Sequence, residues 1–405
     1  MGDSTLSIRT LTYDDFPALS KVLAAAFQSE FKEENAERER RILEPDRTHG
    51  IFDGDEMIGV GGILTRDLTL PGAMPTPAAA VTAVGVKPGH RRRGVASLLM
   101  RTQLHGLHEE NKEAIAILWA SEGSIYGRFG YGIAAEVAMM SIPHQAPFRP
   151  EVKVDDRRIR EVTRDEAMPV MRELHDRVRR ARTGWLNRVE GSWLFHLGDE
   201  ESDRDGLTSY RYALHPRGYT VYRVKHDWQT RGPRNELHVR EIVAETDEAY
   251  AALYRHLLDM DLAGEVKYFT ASDDPITHMI VNARTALRER TDSLWVRIAD
   301  VERALPQRRY QSDVDYVLQL SDEFCPWNQG KWRFTTKSGE AVVQRTTDEP
   351  DVALDISVLG SVFLGGPRLS VFARAQRVRE CTPGAVSALS AAFLDEREPH
   401  CPEVF

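Results

Sequence analysis

The most informative stretch of the sequence is a basic loop that contains glycine, Arg91-Arg92-Arg93-Gly94-Val95-Ala96. It follows an apolar run at residues 79–86 and precedes residues 97–110, whose leucines recur at helical spacing, so it joins a strand to a helix. A helix N-terminus presents unpaired N–H groups and a partial positive charge, and small residues let the backbone approach a ligand. The loop therefore predicts a pyrophosphate site, although an isolated motif of this form is more often a solvated basic turn.

A tyrosine in a second glycine-containing turn is a candidate general acid. Residues 114–119 form another apolar run, and the turn that follows carries Gly123, Gly127 and Gly130 around Tyr126. A phenol with a pKa near ~10 can protonate an anionic leaving group. Taken alone, the same tyrosine is more often a core residue. No histidine or glutamate stands out as a base within residues 1–150.

The composition is that of an ordinary globular protein. Of the 405 residues, 41% are hydrophobic and 28% are charged, and the formal charge of -9 gives no reason to expect binding to nucleic acid or anionic lipid. Cys325, Cys381 and Cys401 are widely spaced, so we expect neither a disulfide framework nor a metal site. No secretory signal and no apolar run of about 18 residues occurs, which predicts a cytoplasmic protein that does not bind membranes.

The order of secondary structure repeats along the chain. Asp53-Gly54-Asp55 marks a tight hairpin, and the elements between residues 51 and 119 recur in the same order between residues 210 and 270. A polar stretch with prolines at residues 143–155 is typical of a linker. After about residue 294, predicted strands alternate with helices at 351–359 and 385–393, as in an α+β unit. We therefore expect a mixed α/β and α+β architecture with units at residues 1–150, 151–300 and 301–405.

Several longer motifs resemble one family of actinobacterial acetyltransferases. The pattern Val84-Gly85-Val86-x-Pro88-x-x-Arg91-Arg92-x-Gly94-x-Ala96 resembles the acetyl-CoA motif of GNAT enzymes. Together with the turn around Tyr126 and the segments 214–224 and 355–365, it is similar to the enhanced intracellular survival (Eis) family over the whole chain. The resemblance implies an N-terminal catalytic GNAT domain, a central GNAT-like domain without a functional cofactor loop, and a C-terminal domain resembling sterol carrier protein.

The same resemblance implies the roles of individual residues. Tyr126 matches the family's catalytic tyrosine, and the base is the carboxylate of a terminal phenylalanine, here Phe405, although chain ends are usually mobile. The residues expected to bind acetyl-CoA are Val84, Gly85, Val86, Arg91, Arg92, Arg93, Gly94, Val95, Ala96, Ser97, Ser121 and Glu122. Those expected to bind the acceptor are Phe27, Glu30 and Glu403. A charged surface helix explains the acidic residues after Phe27 equally well.

The family implies acetyl transfer from acetyl-CoA to primary amines of polycations such as aminoglycosides, at one or several positions. Transfer to lysines of proteins or peptides is an alternative, and a non-catalytic protein that senses acetyl-CoA or binds an apolar ligand is an alternative of another class. The family also implies a homohexamer, for which residues 358–364 offer an apolar face. Arg40 and Arg41 stand where the family has an aromatic residue, so the sequence identifies neither the acceptor nor its regiochemistry.

Overall fold

The computed structural model describes residues 6–405, which form three large sheets and one short strand pair with helices packed against them. The N-terminal part contains β1 (Ser7–Thr10), α1 (Phe16–Ala26), α2 (Glu33–Ile42), β2 (Thr48–Asp53), β3 (Glu56–Leu70), β4 (Met74–Val86), α3 (Val95–Glu109), β5 (Ile115–Trp119), β6 (Gly132–Ile133) and β7 (Glu136–Pro143). The central part contains β8 (Arg160–Val162), α4 (Arg164–Arg179), α5 (Glu190–His196), β9 (Arg211–His215), β10 (Gly218–Lys225), β11 (Trp228–Gln229), β12 (Gly232–Pro233), β13 (Asn235–Ala244), α6 (Asp247–Leu258), β14 (Ala263–Ala271), α7 (Ile276–Met279), β15 (Leu287–Asp292) and β16 (Leu294–Ile298). The C-terminal part contains α8 (Val301–Ala304), β17 (Val314–Ser321), β18 (Gly330–Lys337), β19 (Glu340–Arg345), β20 (Val352–Asp355), α9 (Ile356–Val362), α10 (Leu369–Arg374), β21 (Val378–Glu380) and α11 (Ala385–Phe393). Among residues 6–405, no helix combines the length and the apolar composition needed to cross a membrane.

The first sheet orders its strands β1-β2-β3-β4-β5-β16-β6. β2 and β3 form the predicted hairpin, with Asp53 opposite Glu56. The apolar residues of α1 and α3 are buried in two different core clusters, as expected for helices on opposite faces of one sheet. The sheet thereby fixes both ends of the basic loop that joins β4 to α3.

The first two sheets exchange strands. The second sheet has the order β15-β7-β14-β13-β10-β9-β8, so β7, the last strand of the N-terminal part, pairs with β14 and β15 of the central part. In return β16, from the end of the central unit, inserts between β5 and β6 of the first sheet. The division at residues 150 and 300 stays a prediction, and strands from both sides of residue 150 are shared between the two sheets.

The C-terminal sheet has the order β19-β18-β17-β20-β21 and is flanked by α9, α10 and α11. The predicted helix at residues 385–393 is confirmed as α11. The predicted helix at residues 351–359 is wrong in its first half, because Val352–Asp355 forms β20, a strand parallel to β17. The helix begins only after Asp355, whose side chain accepts a hydrogen bond from the Ser357 N–H at 2.9 Å and so caps α9.

Helix α9 joins the C-terminal unit to the first sheet. A Cβ on Gly360 would lie 2.4 Å from the carbonyl oxygen of Val296 in β16, so only glycine permits this approach. Val358, Phe363 and Leu364 are completely buried within the chain. The expectation that residues 358–364 offer an apolar face for oligomer formation is therefore wrong, because other segments of the same chain cover that face.

Candidate active site

A groove opens where two neighbouring strands of the first sheet diverge. Among the described residues, β4 pairs with β5 only at Ala79 with Ala116 and at Ala80 with Ile117. Further along, a groove of about 800 Å³ separates them, lined by residues 84–86 on one side and by Ser121 on the other. The edge of β4 that faces β5 is therefore open to an extended ligand that forms strand-like hydrogen bonds.

The positive end of α3 meets this groove. Gly94 precedes the helix in the left-handed region (φ 81°) and has no side chain to cap the first N–H groups, and the first turn carries no acidic residue. Arg91, Arg92 and residues 94–97 line the groove. Arg93 does not line it, because its guanidinium pairs with Asp53 at 3.1 Å, so its predicted contact with the cofactor stays a prediction. The remaining donors suit an anion such as a pyrophosphate.

The corresponding helix of the central unit has the opposite character. The side chain of Thr246 caps α6 by accepting a hydrogen bond from the Ala249 N–H, and Asp247 and Glu248 occupy the first turn. These carboxylates lie where a bound pyrophosphate would meet like charge. This geometry is consistent with the prediction of one cofactor loop, in the N-terminal unit.

Tyr126 lies at the junction of two cavities. It begins a 3₁₀ turn, Tyr126–Phe129, is 5% exposed and stacks edge-on against Tyr131. Burial raises the pKa of its phenol, with hydrogen bonding to Ser121 acting in the opposite sense and the charge of Glu122 raising it further. The phenol is therefore protonated at neutral pH, as a general acid must be.

The second cavity, of about 480 Å³, brings the C-terminus of the chain to this tyrosine. It shares Phe27, Val84, Ser121 and Tyr126 with the groove, and its wall includes Glu403, Val404 and Phe405. Among the other residues predicted to bind acetyl-CoA, Arg93 lines neither cavity, and the rest line only the groove: Gly85, Val86, Arg91, Arg92, residues 94–97 and Glu122. Glu30 lines neither cavity, and its contact with an acceptor stays a prediction. The tail and the tyrosine turn, which are far apart in sequence, thus line the same cavity.

Helix α2 supplies charged residues of this second cavity that the sequence analysis missed. Asn35, Arg38, Glu39 and Ile42 line it. Their spacing of three and four residues places them on one face of a helix, which is a signal the sequence contained. Oε2 of Glu39 is buried without a hydrogen-bond partner, and burial raises the pKa of this carboxyl to about 6, with Ser20 and Arg38 opposing. Arg38 itself pairs with Asp203 at 2.9 Å.

Comparison with known proteins agrees with this architecture. A GNAT acetyltransferase domain family matches residues 7–134, a second GNAT family matches residues 184–298, and a sterol carrier protein domain family matches residues 301–402. An uncharacterized N-acetyltransferase of Streptomyces avermitilis is 36% identical and covers 99% of this chain and 100% of its own. The N-acetyltransferase Eis of Mycobacterium tuberculosis is 30% identical over 97% of this chain and 98% of its own. The chain belongs to the Eis family of N-acetyltransferases.

The solved structures support the same assignment. Eis1 of Mycobacterium abscessus is 32% identical, aligns with a TM-score of 0.87 and covers 98% of this chain and 100% of its own. The predicted fold, two GNAT units followed by a sterol-carrier-like unit, is therefore confirmed. As a member of the Eis family the protein is an N-acetyltransferase, and GNAT acetyltransferases use acetyl-CoA. Among residues 6–405, no cluster of His, Cys, Asp and Glu has the geometry to hold a metal ion.

In this Eis-family chain, Glu403 has a buried partner that sequence reasoning did not find. Its Oε1 accepts from Nε of Arg188 at 2.8 Å, and Nη2 of Arg188 donates to Oε2 of Glu241 at 2.8 Å. Nε2 of His196 lies 3.1 Å from the same Glu241 oxygen. Burial raises the pKa of Glu403, although the charge of Arg188 opposes this shift. The carboxylate is thus engaged by the protein and does not face the cavity as a free charge.

Buried histidines predict an acid-sensitive fold. Burial, reinforced by Arg188, lowers the pKa of His196 to about 3, and burial with Arg182 does the same for His400. Unfolded histidine binds a proton below about pH 6.5, so the stability from these groups is complete above that pH. It falls as the pH drops toward 3, by up to about 1.4 kcal/mol per histidine and pH unit. Urea unfolding between about pH 7.5 and 5 measures this, and His196→Gln should reduce the slope whereas the exposed His226→Gln should not. An unchanged slope in His196→Gln would contradict the assignment.

Proposed function

We propose that this N-acetyltransferase transfers an acetyl group from acetyl-CoA to a primary amine of a polycationic acceptor such as an aminoglycoside. The observation that carries the proposal is the junction of the two cavities at Tyr126. One cavity has the features of an anion and pantetheine site, and the other is closed by a carboxylate-bearing tail. Donor and acceptor can therefore meet at one phenol.

The groove residues suit the cofactor. Acetyl-CoA supplies a thioester, whose carbonyl is attacked by an amine and whose sulfur departs with a negative charge. Arg91, Arg92 and the N-terminus of α3 would bind its pyrophosphate, and the open edge of β4 at Val84–Val86 would bind its pantetheine arm. These assignments need no residue of the central unit.

Two groups are proposed to move protons. The Tyr126 hydroxyl donates a proton to the departing sulfur, because burial keeps the phenol protonated at neutral pH. The α-carboxylate of Phe405 accepts the proton of the acceptor ammonium, because the tail enters the acceptor cavity and its terminal side chain packs against the core. Acid and base thus lie on the walls of one cavity.

The proposal is tested by release of thiol. The protein is incubated with acetyl-CoA and kanamycin in the presence of a thiol reagent, and in parallel with a lysine peptide. Thiol release that depends on kanamycin supports the proposal, and release that depends only on the peptide favours the protein-lysine alternative. No release with any amine would favour the non-catalytic alternative, which membership in a family of N-acetyltransferases argues against.

Glu39 is expected to bind the acceptor ammonium. Replacing it with glutamine removes the charge of a half-buried carboxylate, and KM for the amine should rise about tenfold with a smaller change in kcat. In the wild type, KM should rise as the pH falls below about 6, because Glu39 is then protonated. KM of the variant should not show this dependence. Glu37→Gln, on the same helix but outside the cavity, is the matched control, and an equal effect there would contradict the assignment.

The assembly and location of the protein remain proposals. We propose a cytoplasmic homohexamer, as the family resemblance implies, with no affinity for nucleic acid or membranes. Sedimentation velocity tests the assembly, and a monomer at micromolar concentration would contradict it. The present chain alone forms both cavities from its own residues.

A further inference from the structure

The central unit contributes a buried arginine to a part of the chain that lies far beyond it. Arg188 precedes α5, and its side chain is 1% exposed. It pairs at once with Glu241 of β13 and with Glu403, which stands two residues before the C-terminus. A single cation of the central unit thus holds the tail through the side-chain carboxylate of Glu403.

The tail makes further contacts with the same segment of the central unit. The N–H of His400 donates to the carbonyl oxygen of Thr183 at 3.0 Å. A Cβ on Gly184 would lie 2.6 Å from the carbonyl oxygen of His400, so the backbone of the tail packs closely against the backbone at Gly184. Cys401 is 1% exposed. Residues 183–188 therefore hold the tail at two points, and the last three residues of the tail line the acceptor cavity.

The pairing gives the chain end a specific place in the fold. Chain ends usually fray unless specific contacts hold them. Without Arg188, the buried Glu403 would be an uncompensated carboxylate. The least unfavourable response is for the tail to leave its buried position, which returns that carboxylate to water. The neighbouring groups do not replace the cation. His175 Nε2 lies 3.7 Å from Oε1 of Glu403, beyond hydrogen-bond distance. The largest cause that lowers the pKa of His175 and His196 is burial, which stays when Arg188 is replaced, whereas the smaller contribution from the charge of Arg188 is lost. Arg66 contributes only through its more distant charge.

We propose that Arg188 is a positioning residue, which fixes Glu403 and so sets the α-carboxylate of Phe405 against the acceptor amine. The central unit is then the clamp for a catalytic tail. This inference rests on the proposed function in one respect, that the Phe405 carboxylate is the base. The holding of the tail itself does not depend on that assignment.

Carboxypeptidase A tests the clamp without reference to catalysis. Carboxypeptidase A removes the C-terminal phenylalanine only from molecules whose tail has left its buried position. The rate of phenylalanine release therefore reports the fraction of molecules with a displaced tail. We expect slow release of Phe405 from the wild type and release about tenfold faster or more in Arg188→Met. The kcat for acetyl transfer should fall about a hundredfold in the same variant, with KM for acetyl-CoA unchanged. Arg188→Lys keeps the charge and should recover part of both effects.

Two further variants keep the test decisive. Glu403→Gln removes the ion pair from the tail side with little change of shape, and it replaces Arg188→Met if that variant does not fold. Arg240→Met is the matched control, because Arg240 bonds His196 in the same network and makes no hydrogen bond or ion pair to the tail.

The outcomes separate the clamp from the base. Slow release in both Arg188→Met and Glu403→Gln would overturn the clamp, as would equally fast release in Arg240→Met. Fast release with undiminished kcat would leave the clamp standing as a tail contact and would instead overturn the assignment of Phe405 as the base. Fast release together with a lower kcat supports both.

Discussion

Replacing Tyr126 with phenylalanine is expected to lower kcat by a factor of about 10² to 10⁴, the usual contribution of a general acid. The hydroxyl is the only group removed, and the ring keeps its edge-on contact with Tyr131. KM for acetyl-CoA should change little, because the groove that binds it is otherwise intact. Steady-state kinetics at saturating amine measures the effect.

The control for this substitution comes from the same turn. Tyr131 is 1% exposed, packs against Tyr126 and lines neither cavity. Tyr131→Phe should retain kcat within a few fold, although it alters the same core cluster. Equal losses in the two variants would indicate a packing effect and would remove Tyr126 from its role as acid.

Extending the chain by a single glycine after Phe405 is expected to lower kcat about a hundredfold or more, because it puts an amide in the place of the Phe405 carboxylate and moves the terminal carboxylate one residue further along the chain. The apolar side chain of Phe405 is retained, so thermal unfolding should be nearly unchanged. The rate of thiol release from acetyl-CoA measures the effect.

A second variant separates the charge from the side chain. Phe405→Leu keeps the terminal carboxylate and an apolar anchor, and it should keep most of the activity. Full activity of the extended chain would contradict the assignment of the base. A loss in Phe405→Leu as large as in the extended chain would show that the ring, and not the carboxylate, is what matters.

The sequence predicted the strand-to-helix junction and the glycine-containing turn that carry the candidate site residues, because each depends on a short stretch. The junction of β4 and α3, with Gly94 and Arg92, and the turn of Tyr126 are each encoded by neighbouring residues. The structure has strand β20 where the sequence predicts the start of a helix, because Val352–Asp355 is a short apolar run whose conformation is decided by pairing with β17. Tertiary pairing, which leaves no local signal, decided that case.

The charges around the acceptor were harder to predict. Glu30 is close in sequence to the predicted site and yet lines neither cavity, whereas Glu39, nine residues later, lines one. The spacing of four residues between Asn35 and Glu39 places both on one face of a helix, and this spacing could have predicted that they line the same cavity. The pairing of Arg188 with Glu403 joins residues 215 positions apart and has no counterpart in any local pattern. Only the folded chain reveals which acidic residues are available to a ligand.

The strand exchange has a consequence for how the chain is made. β6 ends at Ile133, and the strand that must lie between it and β5 begins only at Leu294. At a synthesis rate of about 5 to 20 residues per second, the ribosome needs roughly ten to thirty seconds to deliver that strand. During this interval the nascent catalytic half carries an open, apolar strand edge, which chaperones or a neighbouring copy could occupy. A gene fragment ending near residue 150 would leave that edge open permanently.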